Sequence, residues 1–175
     1  MNKHIRYTLF LLTTLLLATT ACRYPGTGTD PDRIVEKTAG LIADFTPPAG
    51  YEPEFGLHAL GYTAVSFNAG ADSHLYLVQS DAAAAEADLQ GALDNMVPGY
   101  PDDSGKMVVV EQRPATIRNQ EVTVTVSEVT WDNGTTMRQA VALFQGKEGP
   151  ALLILQTPDD SWDGAAMESL LASIQ

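Results

Sequence analysis

Asp72, Ser73 and His74 are the residue types of an acyl-transfer triad, in which a histidine takes the proton of a serine hydroxyl and a carboxylate orients the histidine. Here they are consecutive. Neighbours at the start of a strand project to opposite faces, so three in a row cannot hydrogen-bond in series, and the chain has no Gly-x-Ser-x-Gly elbow. A polar loop entering a strand accounts for them. His58 and His74 stand too far apart for a His-x-x-x-His pair, and there is no Cys-x-x-Cys, so no zinc or iron site is expected. Asp159, Asp160 and Asp163 offer oxygens to calcium but lack the alternating Asp-x-Asp-x-Asp-Gly spacing, and their place before a helix fits capping instead. Asp102-Asp103 reads as a solvated loop. Gly99 to Lys106 misses the phosphate-loop pattern in glycine spacing and in the Met107 that follows the lysine. Gly26-Thr27-Gly28 follows no strand, so it is no dinucleotide fingerprint. The expectation is therefore no catalytic residue, no metal ligand and no cofactor.

Cys22 is the residue with the most specific chemistry. It is the only cysteine, so it closes no internal disulfide. Lys3, His4 and Arg6 precede an apolar core (Leu9 to Leu12, then Leu15 to Leu17), and Thr19, Thr20 and Ala21 lead into Cys22. That is the order of a secretory signal over residues 1–21, with an apolar core shorter than the ~20 residues of a spanning helix. The small residues before Cys22 resemble the lipobox of bacterial lipoproteins, although Thr19 stands where leucine is usual. The resemblance implies that Cys22 becomes the first mature residue and carries a diacylglycerol on its sulfur. Acyl chains at ~0.8 kcal/mol per buried CH₂ then anchor the chain to a membrane. Arg23, where Asp favours inner-membrane retention in Gram-negative members, leans toward an outer membrane.

Beyond residue 21 the chain carries 8 basic and 22 acidic groups, a net charge of −14. Like charge disfavours nucleic acid and any unassisted binding to anionic lipid. A composition of 45% hydrophobic and 18% charged residues is that of a globular domain.

Residues 22–32 read as the lipidated cysteine and a flexible tether, and residues 33–175 as one domain. Ile34, Val35, Thr38, Leu41 and Ile42 predict a helix over 31–43 that opens at Pro31 and stops before Pro47-Pro48. Tyr62 to Phe67 and His74 to Gln79 predict a hairpin. Leu89, Ala92, Leu93 and Met96 predict a helix within 82–96, ended by Pro98-Gly99. Met107 to Ile117 is a strand, with a break expected near Pro114. Glu121 to Trp131 alternates with a period of two and returns through Asp132-Asn133-Gly134. Thr135 to Gln145 follows, and Ala151 to Gln156 reads as a central strand buried on both faces. Ser161 is expected to cap a last helix whose buried stripe is Met167, Leu170, Leu171 and Ile174. The fold class is α/β, a mainly antiparallel sheet flanked by helices on both faces.

Pro48-Ala49-Gly50-Tyr51, the meander from Lys106 to Gln156 and the closing helix resemble the PsbP-like fold, an α/β/α sandwich. The stretch Ile117-Arg118-Asn119-Gln120-Glu121-Val122, with Ala151-Leu152-Leu153-Ile154, also looks like uncharacterised secreted bacterial proteins. The resemblance implies binding or accessory work and carries over no catalytic residue. Tyr51, Phe55, Tyr62, Phe67, Tyr76, Trp131, Phe144 and Trp162 are expected mainly in the core, with Trp131 and the Phe55-Gly56-Leu57 segment as candidate contact surfaces. The functional expectation is a membrane-anchored, non-enzymatic domain acting on an envelope protein partner. Its alternative is a carrier of a small hydrophobic ligand, which needs a sheet–helix cleft of about 300 Å³ or more.

Overall fold

A computed structural model describes residues 31–70, 72–97, 106–131 and 134–175. The leader, Cys22 and the tether up to residue 30 lie outside the described residues, as do Pro98-Gly99, Tyr100 to Gly105 and Asp132-Asn133.

Helix α1 (Pro31–Ile42) begins at a proline whose fixed φ suits a first helical position, with Asp32 in the first turn where the helix dipole favours an anion. Val35, Thr38, Ala39 and Ile42 are buried, spaced as one face of a helix requires. Ile34, expected on that stripe, is 44% exposed. At 3.6 residues per turn it lies about 100° round the axis from Val35.

Strands β1 (Glu52–Ala59), β2 (Tyr62–Asn68) and β3 (His74–Ser80) form an antiparallel meander. Leu60 and Gly61 join β1 to β2 with φ of 56° and 81°, the positive pair of a primed two-residue turn. Helix α2 (Glu86–Met96) starts four residues later than the apolar pattern predicts. The Asp88 carboxylate reaches back to accept the Ala85 amide at 3.0 Å, which fixes the first turn there. The chain then crosses to the far edge of the sheet. Strands β4 (Lys106–Ile117), β5 (Gln120–Thr130), β6 (Thr136–Gln145) and β7 (Pro150–Pro158) return as a second meander. The order is β1-β2-β3-β7-β6-β5-β4, with every pairing antiparallel. The chain is thus of α/β class, with seven strands and three helices among the described residues.

Strand β4 is not broken at Pro114. Its irregularity falls between Val109 and Glu111, and the proline is tolerated because β4 is an edge strand that needs no second ladder. The last helix, α3 (Gly164–Ser173), is capped by Asp163 and not by Ser161. Asp163 Oδ1 accepts from the Ala165 and Ala166 amides at 2.9 and 3.0 Å. Ser161 instead ends a 3₁₀ turn (Asp159–Ser161) and donates to Asp160 Oδ1.

Alternation along the strands sorts the apolar side chains into two clusters. Val65, Phe67, Leu75, Leu77, Leu153 and Leu155 pack with Val35 and Ile42 of α1 and with Met167, Leu170 and Leu171 of α3. Ala64, Tyr76, Val78, Leu152 and Ile154 pack with Leu89 and Leu93 of α2. Strand β7, paired to β3 and β6, feeds both clusters, and that explains its nearly unbroken apolar run.

Candidate functional site

Helix α1 ends two residues before Asp44, and the segment from Asp44 to Tyr51 lies against the start of β1 and the end of β2. Between them lies a cleft of about 450 Å³. Glu36, Ala39 and Gly40 of α1 form one wall, Phe45, Pro47 and Tyr51 a second, and Pro53 and Phe67 the floor beneath. The volume exceeds the minimum of about 300 Å³ that a small-ligand site needs. Gly40 leaves room here, since a Cβ added to it would meet nothing within 4 Å.

The loop wall is held from several sides. The Asp44 amide donates to the Gln175 carbonyl at 3.1 Å, and the Gln175 amide returns a bond to the Asp44 carbonyl at 2.8 Å. The Thr46 amide donates to Ser173 Oγ at 3.1 Å. Pro48 to Tyr51 form a turn closed by the Tyr51 amide on the Pro48 carbonyl at 3.1 Å, with Gly50 at φ 87°. That geometry is a type II turn, and it explains Gly50, because a side chain there strains the left-handed backbone. Phe45 contacts Phe67 edge-on, with centroids 5.7 Å apart.

The polar rim is mixed in sign. Glu36 and Asp44 are acidic, and Lys147 Nζ pairs with Asp44 Oδ2 at 2.8 Å while donating to the Gly40 carbonyl at 2.9 Å. Tyr51 brings a phenol whose pKa is raised by burial, an effect partly offset by its hydrogen bond with the Ser73 side chain. The cleft can therefore take an apolar body against aromatic and proline surfaces while keeping a polar end at the rim.

A second polar group lies on the opposite face of the sheet. Ser66 Oγ donates to Glu54 Oε2 at 3.0 Å, and His74 Nδ1 lies 3.7 Å from the same oxygen. His74 stacks on Tyr76 at 5.6 Å. Burial, and then the Glu54 charge, push the Tyr76 phenol above its ordinary pKa. These are triad residue types in the wrong order, because the carboxylate sits between serine and histidine, so the hydroxyl meets Glu54 and not the imidazole. Glu54 and Ser66 were not singled out from the sequence. Their strand register, with Ser66 opposite Phe55 beside a bulge, could have brought them forward only once β1 was known to be a strand.

The other sequence candidates are dispersed. Asp72 and Ser73 lead into β3, where His74 turns to Glu54. His58 lies at the other end of the β1–β2 ribbon, with Nδ1 2.7 Å from Thr63 Oγ1. Asp159 pairs with Arg138 Nη2 at 2.6 Å, and Arg138 lies over the Trp162 ring. Gly56, expected on an exposed contact surface, instead faces α1, with Val35 Cα 3.1 Å from where a Cβ would stand. Phe55 packs on the α2 cluster and Leu57 remains 37% exposed. Trp131 is half-buried beside its turn. Cys22, Asp102 and Asp103 lie outside the described residues. Of the aromatics singled out from the sequence, Tyr51 and Phe67 line the cleft; Phe45, its third ring, was missed.

No family model matches the chain, and a comparison with curated proteins finds no match either.

Proposed function

We propose that the chain is a lipid-anchored, extracytoplasmic binding domain that holds a small apolar or amphiphilic molecule in the cleft between α1, the Asp44–Tyr51 segment and β1–β2. The cleft of about 450 Å³, walled by Phe45, Tyr51, Phe67, Pro47 and Pro53, carries this reading and favours it over action on an envelope protein. It is a non-enzymatic reading: the aromatic and proline walls suit binding, and the Ser66–Glu54–His74 order offers no activated nucleophile.

The anchor belongs to the same reading. Cys22 is nine residues before Pro31, and an extended chain spans at most about 3.6 Å per residue, so a diacylglycerol on Cys22 would keep α1 within about 30 Å of the bilayer. The helix nearest the membrane is then the one that forms a cleft wall, which favours a ligand that partitions into lipid. Within this reading the fold is a PsbP-like α/β/α sandwich, and the two apolar clusters that alternate along β3 and β7 support it.

The test is to purify the full chain from membranes and to analyse its organic extract by mass spectrometry, beside a Gly40→Leu chain that adds a bulky side chain to the α1 wall of the cleft. A small molecule near one per chain in the first and lost in the second is expected. Identical extracts would overturn the carrier reading. A Cys22→Ser chain released from the membrane fraction is the matching expectation for the anchor.

A further inference from the structure

Among the described residues strand β4 is an edge of the sheet, paired only with β5. Its first half, Met107 to Val110, is 47%, 49%, 54% and 46% exposed, four consecutive apolar residues bare on both faces. The comparable run in β7, Leu152 to Leu155, is buried because β7 has a strand on each side and a helix-packed cluster on each face. The first half of β4 thus has the composition of an interior strand in an edge position. Such an edge, with a row of unpaired backbone groups, is a template for another strand. The opposite edge is guarded: β1 carries Glu52, Pro53 and Glu54 and a register shift between Pro53 and Phe55. So is the second half of β4, by Pro114 and by Arg113, which pairs with both Glu111 and Glu168.

We propose that Lys106–Glu111 of one copy pairs antiparallel with the same residues of a second copy, about a two-fold axis at Val108, joining two sheets edge to edge. The sequence is self-complementary in that register. Val108 faces Val108, and Met107 faces Val109. The irregularity at Val110 makes two residues occupy one position along the strand, which brings Glu111 level with Lys106 of the other copy on the same face. Opposite charges then meet twice, and any slip by one residue puts side chains of one copy on the wrong face. The acidic excess of the chain repels a second copy at long range, so the charge pairs select register more than they supply affinity, and moderate salt strengthens the association. Five paired residues make a small interface, so the dimer is weak and exchanging.

The experiment is disulfide trapping of the full chain in membranes. Residues directly opposite in an antiparallel pair have Cα atoms about 4.5–5.5 Å apart, inside the range a disulfide spans. Val108→Cys should give a covalent dimer on mild oxidation several-fold in excess of Thr116→Cys, an exposed control beyond Pro114, and of the unsubstituted chain, which controls for Cys22. Adding Lys106→Glu should lower the Val108→Cys dimer several-fold, and adding Glu111→Lys to that chain should restore it. Equal trapping at positions 108 and 116, or a dimer indifferent to Lys106→Glu, would overturn the proposal. So would a monomeric Val108→Cys chain shielded from a water-soluble maleimide, since residues 98–105 or another protein would then be the occupant.

Discussion

The rings of Phe45 and Phe67 lie 5.7 Å apart with their planes at 82°, an edge-to-face contact that joins the segment after α1 to the end of β2. Phe67 is buried and Phe45 only partly so, and both face the cleft. The pair therefore serves the core and the candidate site together. Phe45→Ala should cost about 1–3 kcal/mol, since an aromatic pair adds roughly 0.5–1.5 kcal/mol to the area lost. It should also widen the cleft. Denaturant unfolding measures the first effect and ligand retention the second. A variant as stable as the parent would show that the loop is not held by this ring.

Gly40 separates site from stability in the opposite direction. It lies in α1 with open space where a Cβ would point. Gly40→Ala should raise stability by roughly 0.5–1 kcal/mol through helix propensity alone. Gly40→Leu should keep most of that gain while adding bulk at the cleft wall. A thermal midpoint that falls with Gly40→Leu would mean that the cleft is smaller in solution than its described walls allow.

The helices and strands follow from local chemistry, and the site does not. Val122, Val124 and Val126 alternate, and β5 forms where that period places it. Leu89, Ala92 and Leu93 hold α2 to the sheet as their spacing requires. The errors are at ends and turns, where one side chain decides. Asp163, not Ser161, captures the free amides of α3, and Leu60 occupies a positive-φ position that no propensity assigns to leucine. The cleft is harder to see from the sequence because its walls are contributed by residues from 36 to 67, brought together by the Pro48–Tyr51 turn and the Asp44–Gln175 bonds. Phe45 carries no local signal beyond being aromatic, and only the tertiary path aims it at Phe67.

The capping assignment for α3 gives a paired prediction. Asp163→Ala removes two hydrogen bonds to free amide groups and an anion at the helix N-terminus, and should cost about 1 kcal/mol, within a usual range of 0.5–2 kcal/mol. Ser161→Ala removes only an exposed bond to Asp160 and should change stability by less than about 0.5 kcal/mol. Denaturation midpoints of the two variants decide between the caps, and the reverse order would restore Ser161.

Leu60 is 96% exposed at φ 56°, so it contributes no burial and bears the cost of a left-handed backbone, roughly 1–2 kcal/mol for a side chain with a Cβ. Asn tolerates that conformation better, and Asn-Gly is the favoured pair for a primed hairpin turn. Leu60→Asn should therefore stabilise the chain by about 0.5–1 kcal/mol without touching the cleft. Unchanged or lowered stability would indicate that the β1–β2 turn relaxes out of the primed geometry.

Tyr76 contributes to the alkaline decline of stability expected for this fold. Its side chain is 2% exposed, and burial, reinforced by Glu54, raises its pKa above the ordinary value of 10.0. The folded state therefore keeps the phenol protonated where the unfolded chain has released the proton. Below about pH 10 both states are protonated and the group has no pH-dependent effect. Above it the unfolded state binds fewer protons, so stability falls as pH rises, by up to about 1.4 kcal/mol per pH unit until the folded group also titrates. Tyr51, raised by burial and lowered in part by Ser73, adds in the same direction with a smaller weight. Tyr76→Phe should flatten the stability profile between pH 10 and 11 while leaving it parallel to the parent from pH 6 to 9. Urea unfolding at each pH reads the difference. An equally steep alkaline decline in Tyr76→Phe would place the responsible proton on another group.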